Sequence, residues 1–259
     1  MNLLLTNDDG YDARGILALA ERLKQLHRVV IVAPDGQRSA ASHALTMGRA
    51  LCLTRQTLPE HPDLECYSLN GSPADCVKLA LKTLYPQEID LVISGINNGA
   101  NMGFDIFYSG TVAAGIEAVL MGTKAIAFSL QSEVSPDVPD FDQAAKIAAD
   151  FLEQIALSDI KELWNVNLPA LPAEKIKGVL PMPQGGAQFD ERYDLRTDNT
   201  GQNGYWLAGG YIGCYADTEV DSAALAKGYI AVTPIRCKLT DEEELARLKC
   251  KFDRINMHF

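Results

Sequence analysis

The spacing of apolar positions changes repeatedly along the first two-thirds of the chain, and each change marks an element. Leu3-Leu4-Leu5 is a short continuous run that stops at Thr6-Asn7-Asp8-Asp9-Gly10. Ile16, Leu17, Leu19, Ala20 and Leu23 then fall at helical spacing, and Val29-Val30-Ile31-Val32-Ala33 returns to a continuous run closed by Pro34. Together they predict a βαβ unit, whose strands are parallel and buried on both faces. A polar loop over 35–46 separates this unit from strands expected near 51–54 and 66–69. Ser72-Pro73 reads as a cap with proline at the first helical position, opening a helix through Leu84. Residues 90–94 predict another parallel strand, and a glycine-rich stretch over 95–110 leads into a helix over 111–121. A strand over 125–130, a turn at 136–139 and a helix over 142–156 follow.

Beyond Asn167-Leu168-Pro169 the pattern changes. Residues 184–211 are rich in Gly, Asn, Asp and aromatics with little helical period, so 180–215 reads as an extended hairpin or arm. Such an element cannot bury both faces on its own monomer, which makes a neighbouring subunit its expected cover. Tyr205 and Trp206 within it read as packing aromatics. The last helix is expected to start at Thr240, with Glu243 completing a capping box and with Leu245 and Leu248 facing the body.

Composition narrows the function. At 259 residues, with 47% hydrophobic and 22% charged positions, the chain is an ordinary globular protein of enzyme size. Its apolar runs are strand-length, and it opens on Asn2 and acids instead of a basic leader, so a cytoplasmic protein without a membrane partner is expected. The six cysteines form no C-x-x-C pair, which points to thiols in a reducing compartment. With 34 acidic against 23 basic residues, the net charge of -11 opposes long nucleic acid as a main partner. It also repels small phosphate esters at long range, so a phosphate site must make its attraction locally, with a metal ion or a helix dipole.

Three loops at successive strand ends carry the candidate chemistry. They are Asp8-Asp9, the stretch from Gln37 through Arg38, Ser39 and Ala40 to His43, and the run from Gly95 through Asn97 and Asn101 to Gly103. In a doubly wound sheet these tips converge. Asp8 and Asp9 repel one another, a cost that a cation offsets, and a solvated Asp-Asp-Gly turn fits the same residues. Carboxylates, hydroxyls and carboxamides are hard donors suited to Mg²⁺ or Mn²⁺. Tyr108-Ser109-Gly110-Thr111, directly before a helix, offers hydroxyls, amides and the helix dipole as a phosphate cradle, although an ordinary N-cap also explains Ser109 or Thr111. His43 is the one histidine near these loops, and the sequence names no partner for it.

The combination resembles the SurE-type survival proteins, a family of metal-dependent nucleotidases and phosphatases. The resemblance rests on Thr6-Asn7-Asp8-Asp9-Gly10, Ala33-Pro34-Asp35 with Gln37-Arg38-Ser39, the stretch from Asn70 to Val77, Ser94-Gly95-Ile96-Asn97, Asn101-Met102-Gly103 and Tyr108-Ser109-Gly110-Thr111. Weaker matches follow at Asn167-Leu168-Pro169, Tyr205-Trp206 and from Gly228 to Pro234. It implies an α/β fold: a Rossmann-like, mostly parallel sheet flanked by helices over 1–179, with a C-terminal extension over 180–259 that holds a hairpin arm and a terminal helix. That extension would be exchanged between subunits, giving homodimers or homotetramers. The resemblance further implies that Asp8, Asp9, Ser39 and Asn97 hold one divalent ion, Mg²⁺ or Mn²⁺, per subunit. Asn101, Ser109, Gly110 and Thr111 would line the phosphate pocket, and the substrates would be nucleoside 5′- and 3′-monophosphates and short polyphosphate. In that mechanism Asp8 or Asp9 orients a metal-activated water for attack on phosphorus. The chain departs from the family pattern at Ala40, where glycine is common, and at Arg14, where proline is common.

Two other readings start from the same acids. A haloacid-dehalogenase-type phosphatase, working through an aspartyl phosphate, needs Asp-x-Asp where this chain has adjacent acids. A receiver-like, non-enzymatic binding domain expects an acceptor Asp at a later strand end, where this chain has Gly95-Ile96-Asn97.

Overall fold

Leu3, Leu4 and Leu5 are wholly buried because their strand, β1 (Asn2–Thr6), runs through the middle of a sheet covered by helices on both faces. The computed structural model describes residues 1–132, 140–186, 189–211 and 219–252. In chain order the further strands are β2 (Arg28–Pro34), β3 (Leu53–Gln56), β4 (Glu65–Leu69), β5 (Leu91–Asn98), β6 (Lys124–Leu130), β7 (Leu163–Leu168), β8 (Val179–Pro181), β9 (Phe189–Thr197), β10 (Asn203–Tyr211) and β11 (Ile230–Ile235). The main sheet has the order β3-β4-β2-β1-β5-β6-β7-β11-β8, and only the β3–β4 and β7–β11 pairs are antiparallel. β1 pairs with β2 on one side and β5 on the other. The strand order reverses there, so the ligand crevice of the fold lies outside the carboxyl ends of these strands.

Helices α1 (Arg14–Leu23), α2 (Pro73–Leu79), α3 (Gly110–Leu120) and α4 (Phe141–Glu153) divide between the two faces. α1 and α4 pack on one face around Ile16, Leu19, Phe128 and Phe151, while α2 and α3 pack on the other around Leu4, Val92, Val77 and Val112. Ser72 caps α2 as its sequence predicts, accepting from the Asp75 N–H at 3.1 Å while Asp75 accepts the Ser72 N–H at 2.9 Å. The helix then widens into a π turn over Ala80–Leu84. β5 runs on to Asn98 through a bulge between Ser94 and Asn97. Gly95 makes that bulge possible: its φ is +123°, and a Cβ there would lie 2.2 Å from the Phe128 carbonyl oxygen.

The second half differs more from the sequence pattern. β7, the short helix α5 (Asp221–Ala226) and β11 are not marked by it, and β11 carries residues 230–235 of the expected extension back into the main sheet beside β7. The hairpin arm is present as an antiparallel ribbon of β9 and β10; residues 187, 188 and 212–215 of its expected span and the turn at 136–139 lie outside the described residues. The terminal helix α6 (Glu242–Phe252) is capped by Asp241, not Thr240, because the Asp241 carboxylate accepts the Glu244 N–H at 2.9 Å. None of the residues of α6 is fully buried, but Leu245 and Leu248 are half-buried and lie on its more sheltered side. Among the described residues no helix is long and apolar enough to cross a membrane.

Candidate active site

β1 ends at Thr6, and the chain turns at once. The Asn7 side chain braces that turn by donating to the Gly10 carbonyl at 2.8 Å and accepting the Gly10 N–H at 3.1 Å. The turn delivers Asp8 to the N-terminus of α3, where the Thr111 hydroxyl donates to Asp8 Oδ1 at 2.5 Å. The Thr111 backbone N–H also bonds this carboxylate. Gly110 lies against it so closely that a Cβ would sit 2.8 Å from Asp8 Cβ and 2.9 Å from Oδ2. Asp9, half-buried, points toward the end of β5, where its carboxylate accepts the Asn98 N–H. The Asp8 carbonyl in turn accepts the Arg38 N–H at 2.6 Å, bringing Ser39 to the same edge. The three strand-end loops therefore meet at one place.

Both carboxyls titrate above the ordinary range. Burial, opposed by the Thr111 hydroxyl and reinforced by the charge of Asp9, pushes Asp8 up to about 6. Burial also raises Asp9, with the Asn98 N–H opposing. Among the described residues, no cationic side chain contributes to either shift. An adjacent, desolvated pair of acids without a counter-charge fits a hard divalent cation. Nor do three His, Cys, Asp or Glu side chains gather as a metal site among the described residues, so the pair would be completed by neutral oxygens.

Ser39 is exposed, and its hydroxyl accepts from Gln37 Nε2 at 2.8 Å. Asn97, half-buried beside the bulge, donates through Nδ2 to the Gly99 carbonyl at 2.8 Å, which fixes the opposite end of the amide as its oxygen. Asn101 is held from several sides: its N–H reaches Asn167 Oδ1 at 2.8 Å, its carbonyl accepts from Asn165 and Asn167, and its side chain donates to Ser129 Oγ at 2.8 Å. Ser109 is the N-cap of α3, accepting the Val112 N–H at 3.1 Å. Thr111 serves Asp8, which leaves Gly110 as the first-turn residue between the acids and the crevice.

Glu117, Asp221 and Asn165 belong to no motif of the sequence and stand out in the structure. Glu117 is the single charged side chain of α3 and is wholly buried, a signal readable in the run GTVAAGIEAVL. It is also the partner that the sequence could not name for His43, with Nε2 and Oε2 2.8 Å apart. Asp221, on α5, accepts backbone N–H groups from Gly103, Gly185 and Ser222, and so ties the Asn101–Gly103 loop to the C-terminal part. Asn165 and Asn167 alternate with apolar residues in β7 and share a face, a period-two signal.

The family described as Survival protein SurE matches residues 3–191. The chain belongs to the SurE family. It is 40% identical to the protein named 5′-nucleotidase SurE of Thermosipho africanus, over 98% of each chain. A protein of the same name from Symbiobacterium thermophilum is 44% identical, over 95% of this chain and 96% of its own. The crystal structure of Sure protein from Aquifex aeolicus superposes with a TM-score of 0.82 at 38% identity, covering 97% of this chain and 99% of that one. The α/β architecture, with its mostly parallel sheet and C-terminal hairpin, is thus that of a SurE-family structure.

Proposed function

We propose that this SurE-family chain is a divalent-metal-dependent phosphomonoesterase acting on nucleoside 5′- and 3′-monophosphates, and on short polyphosphate. The observation that carries the reading is the adjacent pair of buried Asp8 and half-buried Asp9, without a cationic side chain among the described residues and set against the N-terminus of α3. Relatives named 5′-nucleotidase at 40–44% identity supply the substrate class. Asp8, Asp9, Ser39 and Asn97 would hold one Mg²⁺ or Mn²⁺ ion. Bound there, it supplies a Lewis acid for the phosphate and a water of lowered pKa.

The residues divide the remaining work. Asp9, the more accessible acid, orients the attacking water and takes its proton, while Thr111 keeps Asp8 ionised. Ser109, Gly110 and Asn101 place the phosphate at the positive end of α3, where charge growing on the equatorial oxygens is stabilised. A largely apolar cavity of 660 Å³, lined by Ile106, Phe107, Met182 and Thr233, opens beside Ser109 and has room for the nucleoside. Residues 1–179 carry the catalysis, and 180–259 carry contacts between subunits of a homodimer or homotetramer. The five cysteines within the described residues are unpaired, in keeping with a cytoplasmic enzyme.

The test is phosphate release from nucleoside 5′- and 3′-monophosphates, tripolyphosphate and an aryl phosphate, with Mg²⁺, with Mn²⁺ and after chelation. Turnover should require a divalent ion and should disappear in Asp9→Asn. Normal Asp9→Asn activity with either metal would refute the assignment. A trapped aspartyl phosphate would replace it with the dehalogenase-type mechanism.

A further inference from the structure

Ser39 sits in a stretch without regular secondary structure, and two of its neighbours are strained. Ala40 and Ser42 have φ of 54° and 49°, left-handed values that residues with a Cβ hold only when their surroundings impose them. Neighbouring elements impose them here. The Ser42 N–H donates to the Tyr108 carbonyl at 3.1 Å, the Ser72 hydroxyl donates to the Ala44 carbonyl at 2.6 Å, and the Thr46 N–H bonds the Asp75 carboxylate. The side chain of the loop that reaches α3 is His43, its Nε2 2.8 Å from Glu117 Oε2. Glu117 is 1% exposed and its other oxygen accepts from Lys78 Nζ at 2.6 Å, so α2 supplies the counter-charge that keeps a buried carboxylate available.

We propose that Glu117 and His43 are positioning residues: Glu117, two turns along the helix whose N-terminus meets Asp8, grips His43 and so latches the Ser39 loop against α3, setting the affinity of the site for its divalent ion. The inference rests on the reading of Ser39 as a metal ligand. Neither residue touches the reacting atoms. Their effect passes through the fraction of molecules in which Ser39 is in place, and apparent affinity falls in proportion to that fraction. Because Ala40 and Ser42 are strained in the docked loop, loss of the grip releases the loop instead of leaving it where it stands.

The experiment uses Mn²⁺ as the probe, read by the electron paramagnetic resonance of the free aqua ion. Alongside it, amide hydrogen exchange is followed over 38–46 in metal-free protein. His43→Ala should raise the Mn²⁺ Kd about tenfold, as a drop of the docked fraction to about a tenth requires. It should also speed exchange over 38–46, while the melting temperature stays near that of wild type and kcat recovers at saturating Mn²⁺. His43→Gln, which keeps a donor for the carboxylate, should restore most of the affinity. Glu117→Gln should follow His43→Ala, and His61→Ala, which breaks a similar pair with Glu21 on the far side of α1, should change nothing. Unchanged Mn²⁺ affinity in His43→Ala, with affinity lowered in Ser39→Ala, would overturn the latch. Unchanged affinity in both variants would overturn the ligand assignment beneath it, and unaltered exchange over 38–46 would overturn the docking role whatever the metal does.

Discussion

Thr111 Oγ1 donates to Asp8 Oδ1 across 2.5 Å, a side-chain bond that joins the start of α3 to the end of β1. A hydrogen bond to a carboxylate contributes roughly 1.5–3 kcal/mol, and here it opposes the burial that raises Asp8. Thr111→Val keeps the shape and removes the donor. Asp8 should then hold its proton to higher pH, and metal-dependent kcat/KM at pH 7 should fall about tenfold or more. Thr111→Ser should keep most of the activity. A valine variant with wild-type pH dependence of kcat/KM would show that the bond does not tune the acid.

Gly110 tests the closeness of that same contact. An added Cβ would meet Asp8 Cβ at 2.8 Å and Oδ2 at 2.9 Å, so the carboxylate or the helix start must move. Alanine is otherwise the better helix former by about 1 kcal/mol, and the fold should survive. Gly110→Ala should give a native circular dichroism spectrum with phosphate release down about a hundredfold, in line with misplacement of a site by about 1 Å. Full activity in a folded variant would mean that Asp8 has no fixed position to lose.

The raised Asp8 carboxyl makes the metal-free protein's stability depend on pH in a fixed direction. Its value is 3.8 in the unfolded chain and about 6 in the folded one, so between these the folded state binds more protons. Stability from this group is therefore greatest below 3.8 and declines as pH rises to about 6, by about 3 kcal/mol as an upper figure. Asp8→Asn removes the cost. Without metal the variant should melt above wild type at pH 7, and the difference should shrink toward pH 4. Thermal melts of both proteins across that range check it, and a variant less stable than wild type at pH 7 would contradict the unpaired-acid reading.

The legible part of this protein is what lies close in sequence. Period and run length mark β1, α1, β2 and α3, and charge at the end of an aliphatic strand marks Asp8 and Asp9 before any contact is known. The convergence of three loops follows from parallel order alone. What escapes is held by pairs far apart in the chain: His43 and Glu117 are 74 residues apart, and Asp221 and Gly103 are 118 apart. β7 and β11 escape for a different reason. Asn165, Asn167 and Thr233 put buried polar groups into strands, which breaks the apolar run that identifies β1 and β2. In the terminal helix the spacing of Leu245 and Leu248 marks two half-buried positions, and only the cap differs, falling at Asp241 instead of Thr240.

Asp221 shows the cost of one of those distant ties. Wholly buried, its carboxylate accepts from Gly103 N at 2.9 Å, Gly185 N at 3.0 Å and Ser222 N at 2.8 Å, while burial raises its pKa. In Asp221→Asn one oxygen becomes an NH₂ group facing a backbone donor. Leaving a buried donor unsatisfied costs roughly 1–3 kcal/mol. Urea unfolding should show that loss, and freeing the Gly103 N–H should also raise KM, because the Asn101 loop is tied there. Stability equal to wild type would place the three amides in water instead.

The ribbon of β9 and β10 carries the final prediction. Register places Tyr205 opposite Leu195 and Leu207 opposite Tyr193, so these four side chains share one face, and all are exposed. The other face holds Asp194 in ion pairs with Arg192 and Arg196, with Trp206 opposite it. An isolated two-stranded hairpin is marginal in water, and an exposed apolar face of this kind marks an association surface. Leu195→Glu combined with Leu207→Glu sets two carboxylates on that face, about 7–8 Å apart if they behave as diagonal neighbours across the ribbon. Light scattering should show a smaller particle than wild type, while the active site, built from other elements, keeps its turnover per subunit. An unchanged particle mass would mean that subunits meet elsewhere than on this face of the ribbon.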